Sequence, residues 1–312
     1  MPKIVCAVTV DTEPDCSLNW ERSFPLKFES VNIGIKKILQ PLFIRFGVSP
    51  TYFISPEVLE DREAIKTIHS LKKCEIGSHL HSEYISPDIK YKNPAGTKSS
   101  QYPCFDIDNK TEFEKIKTLD KLIQNRLGIK PVSYRAARFG ADLNTIHSLL
   151  KLGYQVDSSV TPHLNWRKQG GPNFEGYPEQ PYFISQNDFS KPDKKNKSIL
   201  EVPITIGKKR FPFLPNKWLF YRWLRPTHMS VLEQKLLIKD YFQKYKNKNI
   251  IVLTMMFHSM EIIPKASPYT RTKLEVHWFL RRLEKVLLYL KNLGCEFLTL
   301  KEIYQLYIKY HD

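Results

Sequence analysis

Short apolar segments alternate with longer amphipathic stretches along this chain, and that alternation constrains the fold more than any other feature. Several of the apolar segments are almost continuously hydrophobic, as expected for parallel strands that are covered on both faces. The predicted strands are Ile4–Asp11, Pro50–Ser55, Cys74–His79, Val132–Arg138, Tyr154–Ser158, Ile199–Ile204 and Ile250–His258. The predicted helices are Val31–Phe46, Pro56–Lys72, Thr111–Leu127, Asp142–Leu152, Ser230–Lys246 and Lys273–Leu293. This order predicts an α/β fold with a parallel sheet, of which a barrel is the closed form.

Residues 1–312 are expected to form a single barrel domain, because one α/β barrel routinely reaches ~250 residues or more. Two stretches, 86–109 and 161–197, interrupt the alternation and lack the apolar content for a core of their own. We therefore interpret both as loop inserts over one face of the barrel.

The sequence shows neither a membrane-spanning segment nor a secretory signal. The longest apolar run, Ile250–Phe257, is much shorter than the ~20 residues that a spanning helix needs. The amino terminus enters a predicted strand at once, and no basic, apolar and small-residue pattern fits it. The five cysteines are scattered and form no CxxC pair, which favours reduced thiols. We expect a cytoplasmic protein.

Positive charge is concentrated in one part of the chain. The formal net charge is +16, and the stretch from Lys191 to Arg225 holds ten Lys and Arg residues against two acidic ones. Within it, Trp218–Leu224 mixes aromatic and basic residues. This pattern is typical of a core helix with a solvated basic face, and it also suits peripheral contact with an anionic membrane, here the inner face of the membrane. Nucleic acid is not an expected partner, since no nucleic-acid-binding motif accompanies the charge.

Ionisable residues stand where predicted strands end. They are Asp11 for the first strand, His79 for the third, Arg135 and Arg138 for the fourth, Asp157 for the fifth and His258 for the last. The carboxyl ends of parallel barrel strands converge on one face, where active sites are built, and buried charges are costly unless they are paired or bound to metal. Further polar residues follow two of these ends, Glu13 and Asp15 after the first strand and His81 and Glu83 after the third. Two histidines and a glutamate within five positions favour a metal site.

In this order, five segments resemble the motifs of the polysaccharide deacetylase (NodB-homology) family. They are Thr9–Asp15, Glu75–Glu83, Tyr134–Gly140, Val156–Ser159 and Phe257–Ser259. Within that family the strings Gly-Ser-His-Leu-His and His-Ser-Met-Glu, with Ala266–Tyr269, are similar to the WalW-like subgroup associated with lipopolysaccharide and capsule biosynthesis. The resemblance implies a distorted (β/α)7 barrel, a divalent metal, usually Zn²⁺, and hydrolytic removal of acetyl from an N-acetylated sugar or glycan, which can be lipid-linked.

The resemblance also implies roles for individual residues. Asp11, His79 and His81 are the expected metal ligands, with Glu83 as the alternative to His81. Glu13 is the expected general base, with Asp15 or Asp11 itself as alternatives. Arg135 is expected to orient the base, and Asp157 to tune His258, which would protonate the leaving amine. Because the first two motifs depart from the usual pattern, a second hypothesis is a catalytically lapsed barrel that binds glycan or lipid-linked sugar.

Overall fold

The structure is a computed structural model that describes residues 2–23, 25–91, 96–98, 100–193, 195–209 and 220–311. Its strands are β1 (Lys3–Thr12), β2 (Thr51–Ile54), β3 (Glu75–Leu80), β4 (Ser133–Ala136), β5 (Val156–Asp157), β6 (Tyr182–Ser185), β7 (Asp188–Pro192), β8 (Leu200–Glu201), β9 (Ile206–Lys209), β10 (Phe220–Trp223), β11 (Ile250–His258) and β12 (Glu296–Phe297). Its α-helices are α1 (Gln40–Phe46), α2 (Arg62–Ser70), α3 (Pro103–Asp106), α4 (Asn109–Leu127), α5 (Leu143–Leu152), α6 (Val231–Lys244), α7 (Lys273–Asn292) and α8 (Leu300–His311). A π-helical segment, Ser30–Leu39, leads directly into α1.

Seven parallel strands form the wall of a distorted barrel. Their order is β11-β1-β2-β3-β4-β5-β8, and each overlaps one of the seven strands predicted from the sequence. Helices follow the strands in the predicted alternation and cover the outside of the sheet with a large apolar cluster. The predicted α/β class and the distorted (β/α)7 barrel are confirmed.

The barrel wall is interrupted between β8 and β11, which are not neighbours in the sheet of the described residues. A side chain bridges this interruption. The amide of Gln180 donates to the carbonyl of Val252 over 2.8 Å and accepts from its N–H over 2.9 Å. Close by, the hydroxyl of Thr205 accepts from the N–H of Thr254 over 2.8 Å. These contacts satisfy backbone groups of β11 that a paired strand would otherwise satisfy.

Local sequence signals account for where several helices begin and end. Asp142 accepts hydrogen bonds from the N–H groups of the first turn of α5, and Ser230 caps α6 in the same way. Gly128 and Gly153 end α4 and α5 in the left-handed conformation, with φ values of +67° and +79°. A side chain at either position would be strained, so glycine lets the chain turn back towards the sheet.

Helix α8, which the sequence analysis does not predict, closes the amino end of the barrel. Its Leu300, Ile303 and Tyr307 pack into the apolar interior of the strands. The N–H of Leu300 donates to the hydroxyl of Thr51, at the start of β2. The opposite end of the barrel, where the strands finish, is therefore the end left for a functional site.

The second insert differs from the predicted loop. Within 161–197, β6 and β7 form an antiparallel hairpin, and β6 pairs with β8, so the hairpin extends the sheet. The side chains of Tyr182, Phe183 and Ile184 in β6 are buried. This apolar run is the signal that the loop interpretation missed. The first insert, 86–109, contains the short helix α3.

The basic stretch is also not helical where the structure describes it. Strand β10 pairs with β9 as an antiparallel ribbon, so the core-helix interpretation is wrong for Phe220–Trp223. Trp218 and Leu219 lie outside the described residues. None of the helices among the described residues combines the length and apolar character that crossing a bilayer requires.

Candidate active site

The carboxyl ends of the barrel strands open into a cleft of about 770 Å³. Asp11, His79 and His258, each from the end of a different strand, line this cleft together with several aromatic and basic side chains. Glu13 and His81 line it as well, so five of the predicted site residues meet where the parallel strands end.

Glu13, His79 and His81 form a buried cluster that could hold a metal ion. One ligand atom from each lies within 4.8 Å of the other two. Oε1 of Glu13 is 3.4 Å from Nε2 of His79 and 3.6 Å from Nε2 of His81. The two histidines stand two residues apart at the extended end of β3, so their side chains share a face.

Both histidines are oriented through the nitrogen that faces away from Glu13. Nδ1 of His79 lies 2.9 Å from the carbonyl oxygen of Arg135, and Nδ1 of His81 lies 2.9 Å from Oε1 of Glu57. An imidazole that donates its Nδ1–H to an oxygen presents a lone pair on Nε2, which is how ligating histidines are commonly held. One carboxylate and two such imidazoles fit a Zn²⁺-type divalent cation and leave coordination positions open.

The charged side chains in and around the cluster compensate one another without a metal ion. Burial by itself would raise the pKa of Glu13, but His81 and His79 outweigh it and hold that pKa well below its usual range. Burial would lower the pKa of His81, yet the carboxylates of Glu57 and Glu13 raise it to about 10. Nη2 of Arg22 lies 3.2 Å from Oε2 of Glu13 and adds a second positive charge. Metal binding would therefore release a proton from His81.

Asp11 lies outside this cluster, which differs from its expected role as a metal ligand. Its Oδ1 accepts a hydrogen bond of 2.7 Å from Nη1 of Arg135. Arg135 is fixed in turn by the carbonyl and hydroxyl of Ser158, each at 2.9 Å. Burial would raise the pKa of Asp11, but Arg135 together with His79 and His258 more than offsets it and lowers that pKa. Glu13, two residues beyond, is the carboxylate that reaches the histidines.

His258 completes the group on the other side of Glu13. Its Nε2 is 3.8 Å from Oε1 of Glu13, and its Nδ1 is 2.8 Å from Oε1 of Glu261. Arg225 and Thr227 both donate hydrogen bonds to the carboxylate of Glu261, which keeps it ionised and in place. If Nδ1 donates its hydrogen to Glu261, Nε2 is the nitrogen that faces the cleft with a lone pair.

Asp157, which was expected to tune His258, has other side chains as its hydrogen-bond partners. Asp157 accepts a 2.7 Å hydrogen bond from the hydroxyl of Ser159 and contacts the carboxyl group of Glu201. Burial raises the pKa of both carboxyl groups, that of Glu201 well above its usual range. Glu261 takes the place beside His258 because the 3-10 turn that follows β11 brings it back to that ring.

The two alternative residues from the sequence analysis have other partners. The carboxylate of Asp15 accepts from the N–H groups of Glu29 and Ser30, at 2.7 and 3.1 Å, where the π-helical segment begins. Oε1 of Glu83 accepts from the N–H of Ser100 over 2.8 Å. Neither carboxylate belongs to the Glu13–His79–His81 cluster.

Four residues of the site were missed from the sequence, namely Glu57, Arg22, Arg225 and Glu261. Glu57 stands three residues after β2 ends, so the rule that found the other strand-end residues could have found it. Arg22 and Arg225 come from irregular segments whose paths are fixed only by tertiary packing, and the sequence carries no signal for them.

The fold was compared with known proteins. No protein-family model matches the sequence, and no curated protein sequence is significantly similar to it. Solved structures are similar over almost the whole chain. The probable polysaccharide deacetylase from Pseudomonas aeruginosa PAO1 has a TM-score of 0.55 at 13% sequence identity, over 97% of this chain and 89% of that one. The chain has the fold of the polysaccharide deacetylases.

Other similar structures carry different activities in their names. The Puue allantoinase has a TM-score of 0.57 at 13% identity, over 97% of this chain and 89% of that chain. The GH57-type branching enzyme from Pyrococcus horikoshii has a TM-score of 0.52 at 10% identity, over 96% and 70%. Since one fold serves several reactions, the reaction has to be argued from the site.

Proposed function

We propose that the cleft is the active site of a metal-dependent hydrolase that removes an acetyl group from an N-acetylated sugar by cleaving its amide bond. The observation that carries this proposal is the convergence of three functions on one cleft. A Glu13–His79–His81 cluster suits a divalent cation, Asp11 is a buried ionised carboxylate, and His258 is held with one nitrogen free. Metal-dependent amide hydrolysis uses a Lewis acid, a general base and a general acid together.

The residues that would hold the cation are Glu13, His79 and His81, and Zn²⁺ is the ion that this donor set suits. When bound, the cation supplies a Lewis acid that polarises a carbonyl group and makes water more acidic. Asp11 is the general base and takes a proton from the attacking water, while Arg135 fixes the direction of its carboxylate. This assignment exchanges the roles that the sequence analysis expected for Asp11 and Glu13.

His258 is the general acid of the proposed reaction. Its Nε2 delivers a proton to the nitrogen of the leaving amine, and the carboxylate of Glu261 stabilises the imidazolium through Nδ1–H. Trp20 packs edge-on against the His258 ring at 5.7 Å, and Tyr269 stacks on it at 6.2 Å. These rings restrict the orientation of His258 and reduce its contact with water.

A glycan-binding barrel without catalysis is the second candidate, and one observation favours it. Arg22 is buried and lies 3.2 Å from the Glu13 carboxylate. The fixed guanidinium of Arg22 neutralises the charge of Glu13 without any metal ion. A protein of this kind would bind N-acetylated sugars and release no acetate.

One experiment separates the two candidates. The purified protein is analysed for bound metal, loaded with Zn²⁺ and incubated with N-acetylglucosamine oligosaccharides while acetate release is followed. The deacetylase proposal expects about one equivalent of metal and steady release of acetate, both lost in His79→Ala. The control His277→Ala changes an exposed histidine of α7 and should retain both. Sugar binding without metal and without acetate would support the second candidate.

We further propose a role in surface-polysaccharide or lipopolysaccharide biosynthesis, on a sugar that is lipid-linked at the inner face of the membrane. Support comes from the motif strings shared with the WalW-like subgroup and from the basic stretch between Lys191 and Arg225. Sedimentation with vesicles tests the membrane contact. We expect the protein to partition more strongly onto vesicles that contain anionic lipid than onto neutral vesicles. Equal partitioning onto both would contradict the membrane contact.

A further inference from the structure

Arg138 places an uncompensated positive charge on one wall of the cleft. Its Nη1 donates to the carbonyl of Ser100 and its Nη2 to the hydroxyl of Tyr102, both over 3.1 Å. The guanidinium also stacks on the ring of Tyr102, 4.4 Å from its centroid. All of these partners are neutral. The side chain is therefore fixed in orientation while its charge remains available to a ligand.

The backbone is strained at Arg138 and Phe139, two neighbouring residues that line the cleft. Arg138 and Phe139 have φ values of +52° and +61°, which is the left-handed region that residues with a side chain rarely adopt. Such strain persists only where surrounding contacts fix it, and it is concentrated at functional sites. Phe139 stacks on Trp166 with ring centroids 6.3 Å apart and packs against Trp223, and all three rings line the cleft.

Lys98 is a further cation of the cleft, where Arg22 and Arg225 are already paired with carboxylates. Lys98 is exposed there, and no carboxylate of the described residues forms an ion pair with it. The two carboxylates that line the cleft are already committed, Asp11 to Arg135 and Glu13 to Arg22 and the histidines. The wall formed by Arg138 and Lys98 therefore presents a net positive charge to whatever enters.

We propose that the Arg138–Lys98 wall is a subsite for an oxyanion carried by the sugar substrate, a phosphate or a carboxylate. The identity of the sugar rests on the function proposed above. A planar guanidinium forms paired hydrogen bonds with either oxyanion, and Lys98 adds a mobile point charge. The neighbouring Phe139–Trp166 platform offers an apolar surface to the ring that carries the charge. The substrate class is thus an acidic N-acetylated sugar rather than a neutral one.

Binding measured on the full chain tests this subsite. Calorimetry compares N-acetylglucosamine with N-acetylglucosamine 1-phosphate and with a disaccharide of N-acetylglucosamine and glucuronic acid. At low salt we expect at least about a tenfold preference for a charged probe, since hydrogen bonds to charged groups contribute strongly. The charged probe that binds more tightly shows whether the oxyanion is a phosphate or a carboxylate. Equal affinity for neutral and charged probes would overturn the proposal.

Variants locate the preference. Arg138→Gln should reduce the preference for the charged probe over the neutral probe about tenfold. Arg138→Lys should restore part of this preference, because the positive charge returns without the planar guanidinium. Arg167→Gln removes the same charge from an exposed residue that lines a different pocket, and it should keep the wild-type ratio. A preference that survives Arg138→Gln and Lys98→Gln together would overturn the assignment.

The outcome is independent of deacetylation. A protein that binds charged probes through Arg138 but releases no acetate would refute the proposed reaction and keep the oxyanion subsite. A protein that deacetylates neutral sugars and shows no preference for charged ones would refute the subsite alone.

Discussion

Nη1 of Arg135 lies 2.7 Å from Oδ1 of Asp11, and both side chains are shielded from solvent. Asp11 cannot turn towards His79 and His81 without leaving a buried guanidinium unpaired, which typically costs ~3–5 kcal/mol. Glu13 pairs with Arg22 through Oε2, and its Oε1 lies against both histidines. The ion pair therefore supports the proposed division of roles, in which Asp11 accepts protons and Glu13 binds metal.

Substituting the two carboxylates separately tests that separation. Asp11→Asn should lower kcat on the order of 10²-fold or more, because the base is lost while the acceptor for Arg135 is kept. Its metal content should remain that of the wild type. Glu13→Gln should lose metal as well as activity. Metal analysis and acetate release on both variants give the answer, and metal loss in Asp11→Asn with retention in Glu13→Gln would contradict the assignment.

The sequence predicted where the site lies better than it predicted what each residue does. Asp11, His79, Arg135 and His258 were found because parallel strands deliver their last residues to one rim. Which carboxylate faces the histidines depends on Arg135, more than a hundred residues away from Asp11, and no local pattern encodes that choice. The contact of His258 with Glu261 was not anticipated, since it depends on the turn after β11.

Glu57 should control metal affinity without touching the metal. Its Oε1 accepts from Nδ1 of His81 at 2.9 Å, and removal of such a partner typically costs ~10–100-fold in metal affinity. We expect Glu57→Gln to weaken Zn²⁺ binding within that range, as measured by competition with a chromogenic chelator. Glu60→Gln alters an exposed glutamate of the same 3-10 turn and should bind Zn²⁺ like the wild type. Equal affinity for all three proteins would exclude a role for Glu57.

The pairing of His258 with Glu261 makes a further prediction that separates Glu261 from Asp157. Glu261→Gln should lower kcat on the order of 10²-fold with little change in metal content, since the imidazolium loses its counter-charge. The nitrogen NMR signals of His258 should report a changed tautomer balance. Asp157→Asn should leave those signals unchanged, because Asp157 contacts Ser159 and Glu201 instead. A changed His258 tautomer only in Asp157→Asn would favour the original expectation.

Glu112 links the stability of the barrel to pH. Its side chain is 1% exposed, and one oxygen accepts from the hydroxyl of Thr145 over 2.7 Å, while the other has no hydrogen-bond partner among the described residues. Burial raises the pKa of Glu112 from 4.5 to about 8. The folded state therefore holds this proton more tightly than the unfolded chain does. The resulting stabilisation is fully present below about pH 4.5 and is lost as the pH rises towards 8.

Glu112→Gln should consequently flatten the decline of thermal stability with pH. Each unit of pKa shift corresponds to about 1.4 kcal/mol, so the difference from the wild type should reach several kcal/mol in favour of the variant above pH 8 and vanish near pH 4.5. Some decline remains in the variant, because burial also raises the pKa of Glu201. Unfolding followed by circular dichroism from pH 4.5 to 9 measures this. Glu114→Gln, on the more exposed side of α4, should follow the wild-type curve. Parallel curves for Glu112→Gln and the wild type would show that Glu112 is already ionised in the folded protein.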